Sequence, residues 1–218
     1  GMAFHGARLV RVLARLAAPG VPESRQSLAE RLGDWLSVTD ALALSLALGS
    51  PAPENAGEPV AAIRPDPGRV DAATAARGAR DRLRHALESA ASGFDASASD
   101  FPSYRRHHQR MQREMSLRIA PLRRALRAAL AARSAALARL AALDAAFEQA
   151  LAERERGLLA SAPVLVGRRF DQLRGTSDGW LATFHDDFRE TLAAELELRL
   201  QPLDGLIAAL DDEATRMQ

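Results

Sequence analysis

Apolar residues recur every three to four positions along most of the chain, the spacing of one face of an α-helix, and no segment alternates as a strand would. Leu9, Val12, Leu13 and Leu16 predict a first helix over about 4–18 that stops at Pro19-Gly20. Ser24 or Ser27 then caps a second helix, carried by Leu28, Leu32, Trp35, Leu36, Leu42 and Leu46 as far as Gly49-Ser50-Pro51, with Thr39 or Asp40 available to cap a restart. Between Pro51 and Pro67 the periodicity disappears, and this stretch holds five of the eleven prolines, the composition of a loop or linker. Helical spacing resumes near Val70 and runs through Leu83 and Leu87 to about residue 91. The SGFDASASD stretch interrupts it, and Asp100 followed by Pro102 reads as a cap with an early-turn proline.

The longest pattern begins there. On a wheel of about 100° per residue, Tyr104, His108, Met111, Met115, Ile119, Leu122, Leu126, Leu130, Leu137, Leu140, Phe147, Leu151 and Leu158 share one apolar stripe. The stripe holds its phase for about 54 residues, so it predicts one very long amphipathic helix, kinked or restarted at Pro121. A straight helix of that length would reach about 80 Å, so it either bends back at Pro121 or extends and needs a partner. A short helix with Leu165, Phe170 and Leu173 is expected after Pro163. The GTSDG break follows, and a final helix carries Trp180, Phe184, Phe188, Leu192, Leu196 and Leu200 and continues past Pro202 to Leu210.

These elements define an all-α chain: a helical bundle of about six or seven helices with one very long, proline-kinked amphipathic helix. The organisation they imply is an N-terminal helical pair over 1–50, a Pro-rich linker or loop over 51–68 and a main bundle over 69–218, with a single domain overall as the alternative. Composition agrees, since 46 Ala and 32 Leu in 218 residues stand against 8 Val and 3 Ile. Zero Cys excludes disulfides, thiolate metal sites and cysteine nucleophiles. Arg8, Arg11 and Arg15 interrupt the N-terminal apolar run, so no signal-peptide core is expected, and Gly1 before Met2 reads as a cleavage scar. The longest charge-free apolar stretch, 41–48, is far short of a membrane span, so no membrane insertion and a cytoplasmic location are expected.

Charge changes the picture more than composition does. The formal total is +1, and all 29 basic residues are Arg. By segment the net is −1 over 1–103 (11 Arg, 12 acids), +9 over 104–143 (10 Arg, one acid) and −7 over 144–218 (8 Arg, 15 acids). Arg106, Arg110, Arg113, Arg124 and Arg127 fall opposite the apolar stripe and form one basic face. Such a face is a solvated surface balanced by acidic helices, a docking surface for an acidic protein partner, or a phosphate-binding surface for nucleic acid. The single Tyr and the acidic C-terminal third weigh against nucleic acid.

Two polar residues, Arg133 and Asp144, lie on the apolar stripe itself; each needs a partner from another helix or chain, the arrangement that fixes register or oligomeric state at an interface, or, in the case of Arg133, snorkels to the rim. His108 lies on the same stripe and reads as a core or interface histidine. A metal-dependent site at His107, His108, His185 and Asp187 is the weakest alternative, needing a tertiary contact to assemble. An internal echo places EMSLRIAPL (114–122) over ELELRLQPL (195–203), five of nine positions identical. No Gly-rich phosphate loop, nucleophile elbow or paired-carboxylate motif is present, so no catalytic residue, metal or cofactor is expected and the chain does not read as an enzyme.

The blocks RLGDWLSVTDALALSLAL (31–48), YRRHHQRMQREMSLRIAPLRRALRAAL (104–130) and FHDDFRETLAAELELRLQPLDGLIAAL (184–210) resemble an uncharacterised, all-helical family of beta-proteobacteria. The matching positions are Trp35, Thr39, Asp40, Gln109 or Gln112, Met115, Glu195, Arg199, Gln201, Pro202 and Gly205. The chain departs from the pattern at Ser37 and Val38. The resemblance implies no activity. It implies at most an accessory part of an envelope assembly, because members are encoded near envelope proteins. The expectation is therefore a non-enzymatic helical scaffold or adaptor, acting by self-association or by docking to a protein partner, with a nucleic-acid-binding module as the alternative.

Overall fold

A computed structural model of the chain describes residues 6–17, 71–94 and 100–216. Among the described residues there are five α-helices and no strand: α1 (Gly6–Ala17), α2 (Ala72–Ser92), α3 (Phe101–Ala131), α4 (Ala135–Leu173) and α5 (Trp180–Arg216). The expected helix over 24–50 and the Pro-rich stretch 51–68 lie outside the described residues.

Three of the described helices begin where the sequence supplies a polar side chain at the first turn. Asp71 Oδ1 accepts from the Thr74 amide at 2.7 Å at the start of α2, and that bond holds the Asp71 carboxyl below its ordinary value. At the start of α3, Asp100 accepts from the Ser103 hydroxyl at 2.8 Å, with Pro102 in the first turn where its missing N–H costs nothing. Ser134 Oγ accepts from the Leu137 amide at 3.1 Å to open α4. Before α5 the chain reverses through Gly175 (φ 73°) and Gly179 (φ 93°), left-handed positions that favour glycine.

Two expectations are corrected. The apolar stripe from Tyr104 to Leu158 is not one helix: α3 ends at Ala131, and α4 starts at Ala135 and returns beside it. Leu130 and Leu137 are a heptad apart, so the wheel angle hardly changes across the turn and periodicity cannot register the reversal. Pro121 does not end its helix, and Pro163 does not start a new one, because both lie inside continuous helices. Leu159, Ala162, Leu165 and Val166 bury both turns around Pro163, and that packing outweighs a cost of about 3 kcal/mol for an interior proline. Pro202 likewise sits inside α5, as expected.

The chain forms two compact units. Of the described residues, the first takes 6–17, 87–94, 100–115 and 153–199, and the second takes 71–86, 116–152 and 200–216. The first unit is built on α1, the N-terminal half of α3, the C-terminal half of α4 and the N-terminal half of α5. Its core holds Leu9, Leu13, Leu16, Tyr104, Met111, Phe170, Phe184 and Phe188. The second is aliphatic, with Ala72, Ala76, Leu126, Leu130, Leu137, Leu203, Leu206 and Leu210 buried among α2 to α5.

Candidate functional site

The chemistry-bearing side chains of the first unit converge inside it. His108 (1% exposed) and Glu195 (0% exposed) are held on facing turns of α3 and α5. His108 sits among the apolar positions of α3, with Met111 and Met115. Glu195 lies one heptad after Phe188, so the spacing that buries the ring also buries the carboxylate. His108 Nε2 donates to Glu195 Oε1 at 2.9 Å. Gln112, one turn further along α3, uses both amide hydrogens: Nε2 donates to Glu195 Oε1 and to the Leu159 carbonyl of α4, each at 2.9 Å. Three helices are tied at one level. Glu195 Oε2 and His108 Nδ1 have no hydrogen-bond partner among the described residues. Burial pulls the Arg199 guanidinium, one turn beyond Glu195, below its ordinary value, against the opposing fields of Glu155 and Glu195.

Around this centre the other histidines are also engaged. His107 bonds through Nε2 to the Ala91 carbonyl at 3.0 Å and stacks on Phe94 (ring centroids 4.7 Å apart), which fixes the last turn of α2. Burial lowers the His107 pKa, partly offset by the carbonyl bond and reinforced by Arg110 and His108. His185 bonds to the hydroxyl of the buried Tyr104. Burial, then Arg189, lowers the His185 pKa, with Asp186 opposing. Buried Asp187 receives Arg169 Nε at 2.8 Å and Arg15 Nη2 at 3.0 Å, joining α4 and α1 to α5. The Tyr104 ring meets Phe184 and Phe188 edge-on (4.8 and 5.4 Å between centroids), an arrangement that favours the quadrupoles.

The structure thus separates His107, His108, His185 and Asp187 into different bonding partnerships. No group of three or more His, Cys, Asp or Glu among the described residues could hold a metal ion. The bonds of the cluster run from helix to helix.

The basic face of α3 divides. Arg106, Arg110, Arg113 and Arg124 are exposed. Arg127 is not on that surface: it is half-buried, with Nη1 at 3.1 Å from Asp144 Oδ2 and 2.5 Å from Glu148 Oε2. Burial works against its charge, but Glu148 and Asp144 outweigh it and hold the guanidinium above its ordinary value. Asp144 finds its partners within the chain, since Arg123 reaches its two oxygens at 2.8 and 2.9 Å, a bidentate fork. Arg133 is exposed in the turn between α3 and α4. The two echoing segments meet different surroundings: Leu117 is 71% exposed and Leu198 is 7% exposed.

Sequence reasoning placed His108 and Asp144 on the apolar stripe, and it named Glu195, and Gln109 or Gln112, only as positions of the family pattern, without their bonds to His108 and α4. Phe188, Leu192 and Glu195 occupy i, i+4, i+7, and that spacing was the available signal for Glu195. Gln112 follows His108 by one turn, and only the tertiary fold shows that it reaches α4.

Fold and site together define an all-helical protein whose polar interior joins helix to helix. Residues 2–212 match the family model described as "Protein of unknown function (DUF3348)", and the chain belongs to that family. No curated protein and no solved structure matches it. No helix among the described residues is long and apolar enough to cross a membrane.

Proposed function

We propose that this protein is a non-enzymatic helical scaffold or adaptor that works by docking a protein partner. One observation carries the reading: the side chains best suited to chemistry are engaged in bonds between helices. His108 and Gln112 serve Glu195, His107 serves the end of α2, His185 serves Tyr104, and Asp187 holds Arg169 and Arg15. A catalytic acid or base has to face a substrate within hydrogen-bond reach, whereas these groups face other helices. Their arrangement supports a rigid frame whose function lies on its surface. An accessory place in an envelope assembly, the setting implied by the family resemblance, is compatible with such a frame.

Reconstitution tests the reading. The full chain serves as bait in an extract of its source organism, captured proteins are purified separately, and each is mixed back and measured by light scattering. A stoichiometric complex is expected. A chain that forms none, yet binds DNA or RNA with an affinity that falls steeply with salt, would move the assignment to a nucleic-acid-binding module.

A further inference from the structure

The arginines of the first unit are of two kinds. Arg8, Arg15, Arg169 and Arg189 each meet a carboxylate at 2.5–3.0 Å. Arg11, Arg156, Arg168 and Arg174, scattered over α1, α4 and the turn after it, have no carboxylate within ion-pair distance among the described residues, and neither do Arg106, Arg110 and Arg113, exposed together on α3. Arg106 reaches back to the Ser103 hydroxyl at 3.3 Å, which in turn donates to Asp100, so this carboxylate meets Arg106 through the hydroxyl and through its field. Arg105 is drawn aside over the Phe101 ring, 5.8 Å from its centroid. Arg106, Arg110 and Arg113 stand at i, i+4, i+7, about 10 Å from first to last along the axis. Like charges at this spacing destabilise a helix by about 0.2–0.5 kcal/mol per pair, so the row works against α3 in the isolated chain. Its direction is fixed, because Tyr104, His107, His108 and Met111 are buried on the other side of the same turns.

We propose that Arg106, Arg110 and Arg113 form a docking row for a helix of a different protein that carries carboxylates at the same i, i+4, i+7 spacing. This rests on the docking reading above and gives it a surface and a partner chemistry. Guanidinium forks suit carboxylates, one per turn, and two helices side by side keep such pairs in register over two turns. A second copy of this chain fits poorly. Its exposed carboxylates without ion-pair partners among the described residues, Asp71, Asp100, Glu153, Asp171, Asp178 and Asp212, form no such row on one helix. Nucleic acid fits poorly as well, because the row offers only three charges and the one tyrosine, Tyr104, is fully buried.

The test uses the full chain and three labelled probes, read by fluorescence anisotropy at low and at physiological salt. One is a capped helical peptide with Glu at i, i+4, i+7. The second is its isomer with the same Glu residues placed off that row, and the third is an oligothymidylate of equal charge. The row peptide is expected to bind at least tenfold tighter than the isomer and tighter than the oligonucleotide. Binding should fall at least tenfold in R106E/R110E/R113E and in the milder R106Q/R110Q/R113Q, while R168E/R174E, also exposed in this unit, leaves it unchanged. Circular dichroism confirms that each variant is folded. Equal binding of the two peptides, an insensitive triple variant or preference for the oligonucleotide would overturn the proposal. So would a dimer of the chain that dissociates in R106E/R110E/R113E, which would give the row to a second copy. If the reconstituted complex described above forms and survives R106E/R110E/R113E, this surface is wrong while the docking reading stands. If no complex forms at all, the docking reading itself fails.

Discussion

The two units hold their helices together by different chemistry. In the first, aromatic rings surround a fully buried His108–Glu195 contact, with Gln112 bridging to a third helix. In the second, the interior is aliphatic, and the charged groups stand at its rim: Arg123 and Arg127 on Asp144 and Glu148, Arg80 on Asp204, and Arg77 on Asp211. A buried polar contact tolerates one geometry, because each donor or acceptor left without its partner is desolvated for nothing. A rim ion pair keeps water as a fallback and tolerates several. The first unit is therefore specified by polar matching, the second chiefly by the fit of Leu and Ala side chains.

The largest test of that contrast is Glu195→Ala. It removes the acceptor shared by His108 and Gln112 and leaves both donors buried, a loss expected at about 3–5 kcal/mol. In urea denaturation this lowers the midpoint, and the melting temperature falls by roughly 2–4 °C per kcal/mol for a chain of this size. Glu195→Gln keeps the shape and one acceptor and should lose less. A loss below about 1 kcal/mol for the alanine variant would mean that polar matching does not specify the first unit.

The equivalent removal in the second unit is Asp144→Ala. It takes the fork from Arg123 and one contact from Arg127, but Glu148 stays within reach of both and the site is partly hydrated. The expected loss is about 1–2 kcal/mol, between the values for exposed and fully buried pairs. A loss as large as that of Glu195→Ala would erase the distinction between the two units.

How far these roles were legible follows the same division. The faces of α1, α3 and α5 were readable because their buried positions keep helical spacing, as Leu9, Val12, Leu13 and Leu16 do. Asp144 was readable as a polar residue in an apolar stripe, although its partners, Arg123 and Arg127, were not. They depend on the chain turning back between them, and the wheel carries no sign of that turn. Arg127 shared a wheel position with exposed arginines and differs only because α4 returns on its side. Glu195 stood out in the sequence as a position of the family pattern, but its burial stays hidden until its heptad relation to Phe188 is drawn.

Acid should act on the first unit before the second. Burial is the leading cause of the lowered pKa of both His107 and His185, so each resists protonation in the fold relative to an ordinary value of 6.5. Below that value the unfolded chain binds protons that the folded chain refuses. Their contribution to stability is complete above pH 6.5 and is lost as the pH falls from there through the lower folded values. One such group changes stability by at most about 1.4 kcal/mol per pH unit. Urea denaturation at successive pH values should show the wild type losing stability below pH 6.5, and His107→Gln, which can still donate to the Ala91 carbonyl, losing less over the same range. Identical slopes would remove His107 from the account.

The smallest effect concerns the turn that converts one apolar stripe into two packed helices. Ser134 Oγ takes the Leu137 amide at 3.1 Å and its carbonyl takes the Ala138 amide at 2.9 Å, while the Arg133 amide closes back on the Leu130 carbonyl at 3.0 Å. Ala128 to Ala132 and Ala135 to Ala138 are strong helix formers on either side, so the local preference favours a helix running straight through. The cap opposes that preference from one side, and burial of Leu130 and Leu137 in the aliphatic core opposes it from the other. Ser134→Ala removes the cap and leaves the core, with an expected loss of about 1 kcal/mol. Ser134→Asp keeps an acceptor at the helix start and adds charge favourable to the dipole, so it should retain the stability. If alanine and aspartate behave alike in denaturation, the turn of the second unit owes its direction to apolar fit and to the Arg123 and Arg127 pairs with Asp144, not to its cap.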